Sequence, residues 1–152
     1  MSVRITAGMF KNRKLKSIPG KKLRPIAGRL KEPLFSILGK LVKDAVILDC
    51  FAGTGSVGLE ALSRGAEKAV FIEKDKKAVD LIKQNVNNLG VEEKVEIINR
   101  DFFEVTENGN PKILFAGPPY RENLGTSILK HIRENKIVSD KTIIIIQHHY
   151  KE

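Results

Sequence analysis

The stretch Val46-Ile47-Leu48-Asp49-Cys50-Phe51-Ala52-Gly53-Thr54-Gly55-Ser56-Val57-Gly58-Leu59-Glu60-Ala61 constrains the fold more than any other part of the chain. A short apolar run ends in a carboxylate, turns through glycines and leads into an amphipathic helix. Strand, tight loop and helix N-terminus in that order open a βαβ unit of the kind that holds a nucleotide-like ligand. Glycine serves such a loop because, without a Cβ, it adopts positive φ and lets the backbone approach a ligand closely.

Two ligand readings fit these residues. Gly53, Gly55 and Gly58 spell G-x-G-x-x-G, and Glu73 follows about 20 residues on, where a dinucleotide site has its ribose-binding acid. The same residues fit an S-adenosylmethionine loop, with Asp49 just before the turn. A carboxylate there repels a pyrophosphate but suits a ligand carrying an amino group and a sulfonium. The loop alone leaves both open.

The remaining chain alternates strands and helices. Val3 to Ala7 and Arg13 to Ser17 read as two short strands around a Gly8–Asn12 turn, followed by an extended basic connector, Lys21-Lys22-Leu23-Arg24-Pro25. Leu30, Leu34, Phe35, Leu38 and Leu41 mark one face of a helix from about Arg29 to Leu41, in which Pro33 sets the start or a kink. Ser56 to Ser63 is a helix stopped by Gly65, and Lys68 to Ile72 a buried strand. Asp75 caps a helix with Ala78, Val79, Ile82, Val86 and Leu89 at helical spacing, ended by Gly90. Strands follow at Val95–Ile98 and Lys112–Phe115, then a helix from about Glu122 to Arg133 and a strand from Thr142 to Gln147. This order implies an α/β fold: a mainly parallel sheet with helices on both faces. Asp49 to Gly55, Glu73, Asp101 with Phe102, and Gly117 to Tyr120 all fall just past the carboxyl end of a strand, where such sheets bind ligands.

The charge is unevenly placed. Residues 1–43 carry 12 lysines and arginines against one acid, Glu32, a net of +11; with a chain total of +9, the other 109 residues are left at −2. A basic hairpin and connector on a near-neutral body is the footprint of a phosphate-backbone binder. Arg4, Lys11, Arg13, Lys14, Lys16, Arg24 and Arg29 are the candidate RNA contacts. The chain of 152 residues is expected to form one domain, with hairpin and connector at 1–25 and an α/β core at 26–152. No run approaches the ~18 apolar residues of a membrane span. Met1-Ser2-Val3-Arg4 lacks a signal-peptide apolar core, so a cytoplasmic protein is expected. The single cysteine, Cys50, excludes an internal disulfide and reads as a packed thiol. His131, His148 and His149 read as surface or strand-end residues, with no metal shell to complete.

Asp49-Cys50-Phe51-Ala52-Gly53-Thr54-Gly55-Ser56, Phe71-Ile72-Glu73-Lys74-Asp75, Asp101-Phe102 and Pro118-Pro119-Tyr120 together resemble the ordered motifs of class I S-adenosylmethionine-dependent methyltransferases. Arg4-Ile5-Thr6-Ala7-Gly8, Arg13-Lys14-Leu15, Arg24-Pro25 and Arg29-Leu30-Lys31-Glu32 with Leu34-Phe35 narrow the likeness to the RsmD-type 16S ribosomal RNA guanine-N2 methyltransferases. The resemblance covers nearly the whole chain and implies a Rossmann-like fold, S-adenosyl-L-methionine as cofactor, and 16S rRNA or an assembling small ribosomal subunit as partner. It implies that Phe51, Ala52, Gly53, Thr54 and Gly55 form the cofactor loop above Asp49. Glu73 would take the ribose hydroxyls with Lys74 beside it, Asp101 the adenine amino group, and Phe102 would pack near the ring. Gly117, Pro118, Pro119 and Tyr120 stand at the catalytic motif Asp/Asn-Pro-Pro-Tyr/Phe.

Three departures from that pattern shape the expectations. Gly117 replaces the motif's acidic or amide residue, which removes a side-chain acceptor and is expected to weaken the activity. Ile26-Ala27-Gly28 stand where the family has Thr-Thr-Asp, removing polar contacts and a helix cap. The chain ends soon after Ile143–Ile146, where family members carry two more strands; that strand is expected at an apolar edge, shielded by a helix or pairing in a homodimer. The alternatives are a catalytically impaired, cofactor-binding RNA-binding protein and another Pro-Pro-Tyr enzyme, acting on adenine N6 of DNA or on glutamine. A dehydrogenase gives neither Asp49 nor Pro-Pro-Tyr a role.

Overall fold

The computed structural model describes residues 3–19, 29–107, 109–119 and 123–148. Arg24, the connector at 21–25, Ile26-Ala27-Gly28, Tyr120 and His149 lie outside the described residues. The elements run β1 (Val3–Arg4), β2 (Lys14–Leu15), α1 (Lys31–Leu38), β3 (Val46–Cys50), α2 (Ser56–Ser63), β4 (Lys68–Ile72), α3 (Lys76–Leu89), β5 (Val95–Ile98), β6 (Ile113–Ala116), α4 (Gly125–Glu134) and β7 (Ile143–Ile146). β1 and β2 form an antiparallel hairpin; the other strands form one parallel sheet in the order β5-β4-β3-β6-β7. This is the parallel α/β architecture that the alternation of elements implies, and the Rossmann-like fold that the resemblance implies.

The period of two in the strands divides the sheet into two cores. Ile47, Ala69, Phe71, Ile113 and Phe115 face the hairpin, α1, α2 and α3, where they meet Val3, Leu15, Phe35, Leu59 and Ile82. Leu48, Cys50, Val70, Ile72 and Leu114 face the other way, toward Phe102, Val105, and Ile128 and Ile132 of α4. Burial pushes the Cys50 thiol well above its ordinary pKa, with the Asp49 carboxylate adding to the effect, so the residue is an inert packed thiol.

The hairpin strands are shorter than the sequence suggests because their neighbours bind elsewhere. The Thr6 N–H donates to Glu60 Oε1 at 2.8 Å, and the Met9 N–H to the Ser63 carbonyl at 2.8 Å. A Cβ on Gly8, at φ +84°, would sit 1.9 Å from that carbonyl oxygen, so only glycine lets the turn rest on α2. The basic hairpin is thus clamped to the core. α1 is also shorter: Pro33 lies in its first turn, where no backbone donor is required, and Gly39 at φ +50° ends it. Its buried face is Lys31, Phe35 and Leu38, whereas Leu30 and Leu41 are exposed. Lys31 is fully buried: its Nζ donates to the Arg4 carbonyl at 2.7 Å and to Ser56 Oγ at 3.1 Å, and lies 3.8 Å from Glu60 Oε1.

Among the described residues β7 pairs only with β6. Ile143 and Ile145 pack on one core and Ile146 on the other, leaving Ile144 exposed. No helix among the described residues is long and apolar enough to cross a membrane.

Candidate functional site

β3 and β6 are neighbours, but the chain leaves them in opposite directions across the sheet, through β4 to β5 on one side and to β7 on the other. A crevice opens at the carboxyl ends of strands flanking such a reversal. Here it is a cleft of about 320 Å³. Asp49, Phe51, Ala52, Gly53 and Thr54 line it from β3, Glu73 and Lys74 from β4, Asp101 and Phe102 from beyond β5, and Gly117 and Pro119 from β6. Most of the cofactor and catalytic candidates singled out in the sequence therefore meet in one place; Gly55, Pro118 and the described RNA-contact candidates do not line it. Ile18, Ser56, Val57, Ile72, Asp75, Ala78, Arg100 and Phe115 also line it and were not foreseen.

The loop is built on Asp49. Because Asp49 shares the pleat face of Ile47, its buried side chain points under α2, and Oδ2 accepts the Gly58 N–H at 3.0 Å. A carboxylate at that place satisfies an otherwise unpaired helix-end donor and complements the helix dipole. Phe51, Gly53 and Gly55 all have positive φ, at 58°, 59° and 79°. For Phe51, which is not a glycine, this conformation costs on the order of 1 kcal/mol. The three glycines do different jobs. A Cβ on Gly53 would meet nothing within 4 Å, so this residue is open to the cleft. Gly55 is not among the lining residues; its Cβ would press on the Phe71 ring at 3.3 Å, and one on Gly58 would lie 2.4 Å from it. The second and third glycines seat α2 against β4.

Glu73 holds the loop and faces the cleft. Oε2 accepts the Gly53 N–H at 2.8 Å and Oε1 the Asp75 N–H at 2.9 Å. Each carboxylate oxygen has a further acceptor site for a ligand hydroxyl. Asp101 caps the short 3₁₀ turn Phe102–Glu104 through the Phe103 N–H at 3.0 Å, and its Oδ2 lies 3.9 Å from Lys74 Nζ at the exposed rim. Such an exposed pair contributes little. Phe102 is buried, 5.3 Å from the Phe51 ring, 5.4 Å from Phe103 and 5.0 Å from His131. His131 corrects the surface reading: it is half-buried on α4, where Nε2–H donates to the Val105 carbonyl at 2.8 Å and Nδ1 accepts from Asn135 at 3.1 Å. Four carboxylates (Asp49, Glu73, Asp75, Asp101) against two cations (Lys74, Arg100) give the cleft a field that favours a cationic ligand.

Gly117 and Pro118 are buried and Pro119 half-buried. The φ of Gly117 is not in the left-handed region, so the backbone does not demand glycine. Space is tight without forbidding a side chain: a Cβ would meet Phe115 Cε1 at 3.2 Å, a contact the ring relieves by moving a few tenths of an ångström, and Gln147 Oε1 at 3.5 Å, an ordinary contact.

Arg4, Lys11, Arg13, Lys14, Lys16 and Arg29 are all exposed. Arg4 donates to the Asn12 carbonyl at 2.9 Å, Arg13 to that of Asn88 at 2.7 Å, and Lys16 Nζ to Gln84 at 3.0 Å. Buried Asn85 of α3 ties this basic surface to the cleft. Its Oδ1 accepts the Lys16 N–H at 2.7 Å, and its Nδ2 donates to the Lys16 carbonyl at 3.2 Å and to that of Thr54 at 3.1 Å. The signal was in the sequence: Asn85 is a polar residue inside the apolar stripe Ile82, Val86, Leu89.

The residues present fit S-adenosylmethionine: an open glycine backbone, acceptor carboxylates at Glu73 and Asp101, an apolar wall at Phe102 and Ile72, and a negative field. Comparison with known proteins agrees. The chain is 36% identical to ribosomal RNA small subunit methyltransferase D of Haemophilus influenzae over 95% of this chain and 78% of that protein. It is 33% identical to the protein of the same name from Escherichia coli K12, over 95% and 74%. The solved structure of Escherichia coli yhhF, which carries a methyltransferase name, matches with a TM-score of 0.88 at 32% identity, over 97% of this chain and 81% of that one. Residues 3–152 match the family described as conserved hypothetical protein 95. The chain belongs to that family, the RsmD-type methyltransferases.

Proposed function

We propose that this protein transfers a methyl group from S-adenosyl-L-methionine to the N2 amine of a guanine in small-subunit ribosomal RNA, in the cytoplasm. The observation that carries the reading is the cleft at the sheet's reversal point. There Glu73 and Asp101 stand on one side, Gly117 and Pro119 on the other, in a chain of the RsmD family. The cofactor supplies an electrophilic methyl on a sulfonium. Glu73 accepts the ribose hydroxyls, Asp101 accepts the adenine amino group, Phe102 packs against the ring, and Gly53 leaves room for the methionine part. The guanine amine is a weak nucleophile because its lone pair is delocalised into the ring. Acceptors at the 117–118 backbone hold the amine hydrogens so that the lone pair faces the methyl, the prolines fix that backbone, and Tyr120 stacks on a base drawn out of its surroundings. Exposed Lys11 and Lys14, with Arg13 and Lys16, lie against phosphates.

Glycine at 117 removes one preorganised side-chain acceptor, a loss of about 10²–10³ in rate for contacts of this kind. That observation favours a second reading, a cofactor-binding RNA-binding protein without turnover. The two separate on one experiment: calorimetric titration with S-adenosylhomocysteine together with methyl transfer from labelled cofactor to unmethylated small ribosomal subunits. The enzyme reading expects binding and RNA labelling; binding without labelling supports the second reading. A homodimer through β7 belongs to the same proposal, and sedimentation giving a monomer at all concentrations counts against it.

A further inference from the structure

We infer that Gln147 is a catalytic residue of this site, supplying from β7 the side-chain acceptor that Gly117 lacks. The inference rests on the proposed methyl transfer to an exocyclic amine. Three facts place the amide there. The Gln147 N–H donates to the Ala116 carbonyl at 2.9 Å, which continues the β6–β7 ladder and fixes residue 147 beside the Gly117-Pro118-Pro119 turn. Gln147 Oε1 stands 3.5 Å from where a Cβ of residue 117 would lie, within contact distance of the side chain that 117 lacks. The Phe115 ring, buried and lining the cleft, comes within 3.2 Å of the same point. A side chain at 117 requires the Phe115 ring to yield slightly, whereas the acceptor from the adjacent strand already stands beside the position.

The chemistry needs an acceptor and not a base. An amide oxygen has two acceptor sites, so one bond to the protein leaves one for a substrate amine hydrogen. With that hydrogen held by Gln147 and the other by the Pro118 carbonyl, the nitrogen lone pair is aimed at the methyl carbon. The N–C bond forms as the carbon–sulfur bond breaks with its electron pair left on sulfur. The surplus proton on nitrogen passes to water. Gln147 is neutral throughout, so the step adds no charge beside the cleft.

The test compares the wild-type protein with Gln147→Leu, Gln147→Glu, Gly117→Asp and the double variant Gln147→Leu/Gly117→Asp. Single-turnover methyl transfer to unmethylated small ribosomal subunits is read beside two affinities, for S-adenosylhomocysteine by calorimetry and for the subunits by filter binding. Gln147→Leu is expected to lower the transfer rate by about 10²–10³ with both affinities within about twofold. Gln147→Glu keeps an acceptor and most of the rate, and adding Gly117→Asp to Gln147→Leu restores it. Wild-type rate in Gln147→Leu overturns the inference, as does a loss of cofactor affinity matching the loss of rate, which marks a structural role. Transfer by Gly117→Asp with a silent wild type also overturns it and leaves the proposed activity of the scaffold standing. Silence from every variant overturns the proposed function and the inference with it.

Discussion

Asn85→Leu tests whether one amide joins the basic hairpin to the cofactor loop. Leucine matches asparagine in branching and heavy-atom count, with bulkier methyl groups, so the change removes polar contacts without opening a cavity. In the native protein the Asn85 side chain makes three hydrogen bonds, at 2.7, 3.2 and 3.1 Å, to the Lys16 N–H, the Lys16 carbonyl and the Thr54 carbonyl. The side chain is 1% exposed, so water does not replace it without rearrangement. The unsatisfied Lys16 N–H is part-buried and costs about 1 kcal/mol, the low end for a buried donor, and the two carbonyls, which retain other options, add about 1 kcal/mol together. A destabilisation of about 2 kcal/mol follows, a sizeable part of the 5–15 kcal/mol typical of a domain. Urea unfolding followed by circular dichroism reads it as a lowered midpoint with an unchanged slope. Affinity for S-adenosylhomocysteine falls in parallel, because Thr54 lines the cleft. Asn85→Asp sharpens the test: it keeps the acceptor for Lys16 but turns the donor into an oxygen facing two carbonyls. Its carboxyl pKa is then raised on folding, so the native state binds the proton more tightly and the variant regains stability as pH falls. A midpoint for Asn85→Leu within about 0.5 kcal/mol of wild type would falsify the clamp.

Other consequences follow from single contacts. Gly58→Ala gains up to about 1 kcal/mol of helix propensity but drives a Cβ to 2.4 Å from buried Phe71; overpacking of about 1–3 kcal/mol or more outweighs the gain, and thermal unfolding shows a lowered midpoint. Burial depresses the Lys31 pKa below 10.5, opposed by Glu60 and aided by Arg64. In that window the unfolded chain binds more protons, so stability relative to Lys31→Met rises as pH climbs from the depressed folded pKa toward 10.5, and a flat difference refutes it. Lys11→Ala and Lys14→Ala each reduce the salt slope of RNA binding by about 1, read by filter binding at several salt concentrations, with the cofactor affinity unchanged.

The sequence made the sheet and the cleft legible because local chemistry sets them. Ser56–Ser63 and Gly65, Asp75 and the α3 stripe, and the carboxyl-end placement of Asp49, Glu73 and Asp101 all follow from caps, glycines and periodicity within a few residues. What stayed hidden depends on partners far along the chain. The early end of β1 is decided by Glu60, 54 residues from Thr6. The buried ammonium of Lys31 needs the Arg4 carbonyl and Ser56, and periodicity instead assigned Leu30 and Leu41 to that face. Gly117 reads in sequence as a missing acceptor; only the sheet order brings Gln147 beside it.

The most direct test of the central claim is the identity of the methylated nucleoside. Unmethylated small subunits are incubated with the protein and S-adenosylmethionine, and their 16S RNA is digested and analysed by mass spectrometry. The account predicts N2-methylguanosine above a control without protein. Methyl groups on adenine N6, or none on the RNA while S-adenosylhomocysteine still binds, would contradict it.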